Sequence, residues 1–324
     1  MKILADKKHY YKLIEDFEFV PYNQSEGWYD YIQAVMPRRT LLFVDNPDHP
    51  TIACFGTEKK ILKMRMLQIE GECFRSLQGI TSKQIKSFYQ DIALLQYDFI
   101  EINSEAPYNP MFEIGVREAG FLRPVGVFSC YLTKDINLQE PLKFSSNWKK
   151  NLKVASQHSF SFEVIHEPSP GDVTDFIRMY GELQKDKKFS HRFQESLFLN
   201  FLKDPSFNLA WLKNEKGEKL SSFVYYKRSS FAQSVFRAKI EKAKKNAASF
   251  EIYHRVLLYL REQRCEIFNM SRLAPGPDGG VSKFKEGITG NYYALNGEWS
   301  YYKKRYYRPL MYFVKKYLFK RPEK

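Results

Sequence analysis

The stretch Phe207–Arg237, FNLAWLKNEKGEKLSSFVYYKRSSFAQSVFR, reads as three consecutive strands. Phe207–Lys213 and Lys219–Lys227 are rich in apolar and aromatic residues and flank NEKG, the polar, glycine-containing punctuation of a hairpin; a further strand lies around Ser230–Arg237. A long helix at Ala247–Gln263 follows, then a strand at Cys265–Met270, a glycine-rich loop (APGPDGG) and a short helix around Val281–Glu286. Upstream, Ser146–Ser156, Asp172–Lys187 and Gln194–Leu202 read as helices.

The first half carries the same order. Glu26–Val35 is a helix with Ser25 placed to cap it, and Thr40–Val44 and Thr51–Phe55 are strands joined by DNPDHP. Ile61–Ile69 reads as a third strand. Thr81–Gln96 is helical, with Ile85, Phe88, Ile92 and Leu95 on one face and Thr81 or Ser82 at its start. Asp98–Ile102 and Val125–Leu132 read as buried strands, separated by a helix at Pro110–Ala119. A meander, a helix and a further strand, twice over, predict an α/β (α+β) chain of two tandem GNAT-like acyltransferase domains with mixed, largely antiparallel sheets. The expected boundaries are 1–138, 139–305 and, as an extension, a basic amphipathic helix at 306–324. A prior of roughly 150 residues per domain agrees with two domains.

The 324 residues include 44% hydrophobic and 16% aromatic side chains, too apolar for a disordered chain. No apolar run approaches the roughly 20 residues of a membrane-spanning helix, and Asp6, Lys7 and Lys8 stand where a signal peptide needs its apolar stretch. A cytoplasmic protein is therefore expected, peripheral to the inner face of the membrane if a surface anchor holds it there. Cys54, Cys73, Cys130 and Cys265 are far apart and read as free thiols; with six scattered histidines they give no metal-ligating pattern.

Net charge is +14, which points to anionic partners. Residues 302–324 hold nine basic side chains, among them Lys303, Lys304 and Arg305, against Glu323, and so supply +8 of the total. Leu310, Met311, Phe313, Val314, Tyr317 and Leu318 fall at helical spacing among them, giving a basic amphipathic helix. It reads equally as a docked helix with solvated lysines, an anchor on anionic lipid, or a surface for RNA phosphates. Arg237, Lys239, Lys242, Lys244 and Lys245 form a second basic cluster before the long helix.

No G-x-S-x-G elbow, P-loop or dinucleotide fingerprint is present. The loop Pro275–Gly280 ahead of a short helix bearing Lys283 and Lys285 could offer an anion modest binding through backbone N–H groups. Coenzyme A-dependent enzymes of the GNAT fold place a glycine-bearing turn before the long helix. Here that turn is Lys242–Ser249, KAKKNAAS, with no glycine to admit a pyrophosphate.

Several segments together resemble the Fem family, peptidyltransferases that add amino acids from aminoacyl-tRNA to peptidoglycan precursors. PYNQSEGW (Pro21–Trp28) is similar to the family's glutamine-to-tryptophan opening, FSCYLTKDINLQE (Phe128–Glu140) to the strand and aspartate before the second domain, and NWKKNLKVA (Asn147–Ala155) to the basic helix after it. SHRFQESLF (Ser190–Phe198) resembles the stretch whose arginine contacts the precursor, here Arg192. GGVSKFKEGITG (Gly279–Gly290) resembles the loop that ends in Phe-Lys, here Phe284 and Lys285. The chain departs from the family pattern at Asp30, where a phosphate-contacting lysine is found, at Ser234 and Phe236 in place of two tyrosines, and at Asn269–Arg272, NMSR, in place of D-x-G-G.

The resemblance implies transfer of an amino acid from aminoacyl-tRNA to an amine of a lipid-linked or nucleotide-linked cell-wall precursor, with no cofactor. Lys285 would be catalytic, and Arg192, Phe284, Ser234, Phe236 and Trp28 would bind substrate. Lys242, Lys244, Lys245, Lys303, Lys304 and Arg305 would face tRNA or an anionic surface. Two alternatives stand beside it: an acyl-coenzyme A-dependent N-acyltransferase acting on an envelope amine, and a non-catalytic RNA- or membrane-surface-binding protein of the same fold.

Overall fold

The computed structural model describes residues 1–35, 39–61, 63–124, 130–187, 193–273 and 280–314. The chain begins with β1 (Lys2–Leu4), α1 (Lys7–Leu13), α2 (Glu26–Val35), β2 (Thr40–Val44), β3 (Ile52–Ile61), β4 (Met64–Ile69), β5 (Cys73–Phe74), α3 (Ser82–Ala93), β6 (Phe99–Pro107) and α4 (Pro110–Glu118). It continues through β7 (Leu132–Asn137), α5 (Ser146–Ala155), β8 (Ser161–Ile165), α6 (Pro170–Lys187), α7 (Glu195–Leu202), β9 (Phe207–Lys213), β10 (Lys219–Arg228), β11 (Phe231–Lys239), α8 (Ala248–Glu262), β12 (Ile267–Asn269) and α9 (Gly280–Glu286). β13 (Asn291–Tyr302) and α10 (Tyr307–Phe313) complete it.

The chain divides into two compact units: Met1–Leu132 together with Tyr293–Lys324, and Thr133–Tyr292. In the first, the strand order is β1-β2-β3-β4-β6-β13, with β5 paired to β3; every pairing is antiparallel except β4 with β6. A parallel pair needs a crossover, and α3 supplies it. Ile85, Phe88, Tyr89 and Ile92 bury one face of α3, and Thr81 with Gln84 closes its start as a capping box. Ser25 meets the expectation for α2, accepting the Trp28 N–H at 3.3 Å.

In the second unit the order is β7-β12-β11-β10-β9-β8, again antiparallel except for β11 with β12, which α8 connects. The NEKG hairpin pairs Lys213 with Lys219, as the sequence predicts. Ile252, Tyr253, Val256, Leu257 and Leu260 of α8 are buried with Trp148, Phe223 and Phe268. The two units thus share one strand order, and the first takes its last strand, β13, from beyond the second. After α4 the chain gives β7 to the second unit; after α9 it gives β13 back to the first.

This arrangement accounts for the main differences from the sequence-based boundaries. The division falls at 132/133 rather than 138/139, and residues 293–305 belong with the first unit, because β13 pairs along β6 and buries Trp299 in that unit's core. NYYALNGEWSYY gives a weak strand signal because it is broken at Asn296–Gly297, where Gly297 (φ 72°) sits at a register shift. Ile61–Ile69 is not one strand: Lys63 (φ 68°) lies in the turn between β3 and β4. Of the strand expected at Val125–Leu132, residues 125–129 lie outside the described residues, and the strand observed is Leu132–Asn137.

At the C-terminus α10 packs Met311 and Val314 on Met64, Met66 and Phe99 of the first unit; residues 315–324 lie outside the described residues. All four cysteines are free thiols. No helix among the described residues is long and apolar enough to cross a membrane.

Candidate functional site

The polar centre of the second unit forms around α9. Phe284 anchors this short helix: its ring lies 4.8 Å from that of Trp148, 4.9 Å from Phe250 and 5.3 Å from Tyr253, and its carbonyl accepts the Trp148 indole N–H at 2.8 Å. The helix can approach so closely because residue 287 is glycine; a Cβ there would stand 2.1 Å from Trp148 Cδ1. Gly290 is under a similar constraint from the Asp135 carbonyl, 2.3 Å from where its Cβ would be.

With Phe284 fixed, the next side chain turns inward. Lys285 is 5% exposed and donates from Nζ to the carbonyls of Arg272 (2.9 Å) and Ser271 (3.4 Å). Burial, with the nearby Arg237 guanidinium adding to it, pulls its ammonium down to about 7. Among the described residues, no carboxylate pairs with Lys285 or with Arg237. Arg237, on β11, lies 5.2 Å from the ring centres of both Tyr253 and Phe284, and burial disfavours its charge as well.

A hydrogen-bonded network holds the loop under Lys285. Asn269 donates to Asp135 Oδ1 at 2.6 Å and accepts from Thr133 Oγ1 at 3.2 Å and from the Ser271 N–H at 2.8 Å. Ser271, at φ 59°, donates its hydroxyl to the Ser234 carbonyl. In the NMSR stretch this serine therefore adopts a left-handed conformation that glycine takes at no steric cost. Lys134, on β7, is buried beneath the end of α9, donating to the carbonyls of Lys285, Glu286 and Ile288 and to the Tyr292 hydroxyl. Burial lowers its proton affinity too, and Glu286 opposes this only in part.

The other residues singled out from sequence are dispersed. Arg192 lies outside the described residues. Ser234 is buried beside Ser271, so it shares the network through its carbonyl. Phe236 belongs to an aromatic cluster with Tyr180, Phe193, Phe198 and Phe201. Trp28 sits in the first unit against Tyr22 and Tyr31, and Asp30 near it accepts from Lys7 at 2.9 Å. Lys242 is 75% exposed and pairs with Glu218; Lys245, Lys303, Lys304 and Arg305 are exposed. Arg39, Lys59, Lys60, Arg65, Glu58 and Tyr97 line a hollow of about 210 Å³ in the first unit.

The turn before α8 bears on coenzyme A. Ala247 stands at its start with φ 56°, and the Ala248 N–H donates to Asn246 Oδ1 at 3.3 Å. Cβ of Ala247 and the Asn246 side chain thus take the place of the open glycine turn a pyrophosphate requires. No group of residues that could hold a metal ion is found among the described residues.

Sequence reasoning named Lys285, which the fold places in this polar centre, but gave Lys134 no role and placed Arg237 only within a charge cluster. Both sit on strands, at positions where alternation turns a cation inward; that is the signal that could have found them.

No family model matches the sequence, and no curated protein matches it. The structure is similar to FemX, with a TM-score of 0.75 at 11% identity, covering 96% of this chain and 100% of FemX. It is similar to L-PGS from Bacillus licheniformis, with a TM-score of 0.65 at 15% identity over 96% of each chain. A tandem GNAT protein from the clavulanic acid biosynthesis pathway gives 0.55 at 8% identity, covering 93% of this chain and 97% of that one. The fold is therefore that of two tandem GNAT-like domains.

Proposed function

We propose that this protein is an aminoacyltransferase that moves an amino acid from aminoacyl-tRNA to an amine of a cell-envelope acceptor, a peptidoglycan precursor in the reading its Fem-like segments favour. The observation that carries the proposal is Lys285: a buried lysine, without a carboxylate partner among the described residues, whose ammonium burial pulls down to about 7. Proton transfer is most efficient when the group's proton affinity matches the working pH.

An aminoacyl ester is already activated, so aligning amine and carbonyl supplies much of the acceleration. The acceptor nitrogen attacks the ester carbonyl carbon, and the Lys285 ammonium stabilises the oxyanion that develops. As the carbon–oxygen bond to the ribose breaks, Lys285 gives its proton to the departing ribose oxygen. The proton lost by the new amide nitrogen returns to Lys285, directly or through water, and restores it. Arg192 would grip an acceptor phosphate or carboxylate with its planar fork, and the exposed lysines and arginines would follow the tRNA backbone.

The similarity to FemX and to L-PGS supports this reading at the level of fold. The tandem GNAT neighbour keeps a coenzyme A-dependent N-acyltransferase in view, and the Asn246–Ala247 turn speaks against it.

Single-turnover transfer from tRNA carrying a labelled amino acid, with a panel of muropeptide precursors as acceptors, tests the proposal. Lys285→Met should lower the rate by at least two orders of magnitude while leaving tRNA binding nearly unchanged. An unaltered rate in that variant contradicts it.

A further inference from the structure

Five strands of the first unit have an end in one place. β2 starts there, β3 turns into β4, β6 starts and β13 finishes: Thr40 pairs with Thr57, Ile61 with Met64, and Phe99 with both Met66 and Tyr302. The side chains gathered at this end are mostly cations. Arg39, Lys59, Lys60 and Arg65 line the hollow of about 210 Å³, with Glu58 and Tyr97 as its other walls. The guanidinia of Arg39 and Arg65 stand 3.6 and 3.7 Å from the same Glu58 oxygen, and Arg65 lies 5.0 Å from the centre of the Tyr97 ring. Glu58, which also accepts the Tyr97 hydroxyl, is one carboxylate among four cations.

The turn from β13 into α10 lies beside the hollow. Asp98 ties the two together: its carbonyl accepts the Lys303 N–H at 3.1 Å, and its carboxylate accepts the Arg65 N–H at 2.9 Å and the Tyr307 hydroxyl at 3.4 Å. Lys303, Lys304 and Arg305 are exposed in this turn, as are Lys60 and Lys63 in the hairpin. Residues 36–38 and 62 lie outside the described residues and contain no acidic side chain; residues 315–324 contain five basic ones against Glu323. The sign of the charge therefore stands.

α10 adds apolar surface to the same end. Met311 and Val314 pack inward on Met64, Met66 and Phe99, while Tyr306, Phe313 and Leu310 are 57%, 54% and 39% exposed. An RNA strand would meet the cations through its phosphates and the rings through its bases, but it has no use for an exposed leucine. The surface of an anionic bilayer takes all three: its phosphates attract lysine and arginine, and the margin of its acyl chains accepts leucine and phenylalanine.

We propose that this end of the first unit docks on an anionic phospholipid membrane. A headgroup phosphate enters the hollow beside Arg39, Lys60 and Arg65, whose guanidinium forks suit it, and Leu310 and Phe313 enter the acyl margin. The exposed cations left to follow tRNA are then those elsewhere on the chain. The inference stands on this face alone and makes no use of Lys285.

Co-sedimentation of the full chain with vesicles tests it, comparing phosphatidylcholine alone with a two-to-one mixture of phosphatidylcholine and phosphatidylglycerol. Each basic residue near an anionic leaflet is worth roughly fivefold in partition, so binding to the mixed vesicles should exceed that to the neutral ones by about tenfold or more. Lys60→Gln combined with Lys304→Gln should lower it by about tenfold or more. Lys203→Gln combined with Lys216→Gln removes the same charge from exposed positions of the second unit and should change it by less than about twofold. Leu310→Ser combined with Phe313→Ser leaves every charge in place and should lower it by about fivefold or more.

Equal binding to the two kinds of vesicle overturns the proposal. So does an equal loss in the two lysine pairs, or unaltered binding by the serine pair once thermal melts show it folded. If the Lys60 and Lys304 pair weakens binding to uncharged tRNA as well as to vesicles, and the serine pair weakens neither, the face is an RNA surface and the proposal fails. Transfer that depends on Lys285 in a chain with no preference for anionic vesicles overturns this inference alone. Selective vesicle binding by a chain that transfers nothing overturns the aminoacyltransferase reading alone.

Discussion

For Lys285, the cost to folding and the chemical use proposed for it have the same origin. Its ammonium is pulled from the ordinary lysine range to about 7 in the fold, chiefly by burial. Between pH 7 and about 10.5 the unfolded chain therefore binds the proton that the native chain has shed, and stability contributed by this site rises with pH across that window. Below pH 7 the full penalty of a buried charge is present. Lys285→Met should accordingly stabilise the protein by about 1–3 kcal/mol at pH 6, with the gain shrinking toward pH 10, as read from thermal melts at each pH. A gain independent of pH would show that Lys285 is not titrating as described. Ala247 makes a smaller test. It holds a left-handed backbone (φ 56°) where glycine is unstrained, so Ala247→Gly should stabilise by about 0.5–1 kcal/mol in chemical denaturation.

At the scale of elements, the position of Lys285 depends on how α9 docks. Gly287 leaves no room for a Cβ against Trp148, so Gly287→Ala should cost about 1–3 kcal/mol and displace Lys285, lowering transfer more than tRNA binding. Retention of full transfer by that variant would mean that the docking is not what places the lysine. Much of this level was legible in the sequence. The long helix Ala248–Glu262 and the hairpin Phe207–Lys213/Lys219–Arg228 follow from local periodicity and turn chemistry, whereas the Phe-Lys pair is singled out by the family resemblance alone. Alternation along β7 and β11 turns Lys134 and Arg237 inward, but which groups they meet, and the Asn269–Asp135 bond, escaped the sequence because they depend on pairings between strands far apart in the chain. β13 escaped for the same reason: Asn296 and Gly297 interrupt its pattern, and only the distant β6 makes its alternation meaningful. Arg192 stays an expectation from resemblance, since it falls outside the described residues.

For the whole molecule, two sequence halves without visible residue similarity form units of one strand order, and β13 returns from beyond the second unit to complete the first. The net charge of +14 bears on donor choice, yet charge alone makes any such protein bind RNA at low salt. Only discrimination that outlasts screening speaks to a site built for the ester. The measurement that tests the account most directly is equilibrium binding of aminoacyl-tRNA, uncharged tRNA and acetyl-coenzyme A at two salt concentrations. A preference for charged over uncharged tRNA that persists at the higher salt, with no saturable coenzyme A binding, is the expected result. Saturable acetyl-coenzyme A binding with no preference for the charged tRNA would contradict it.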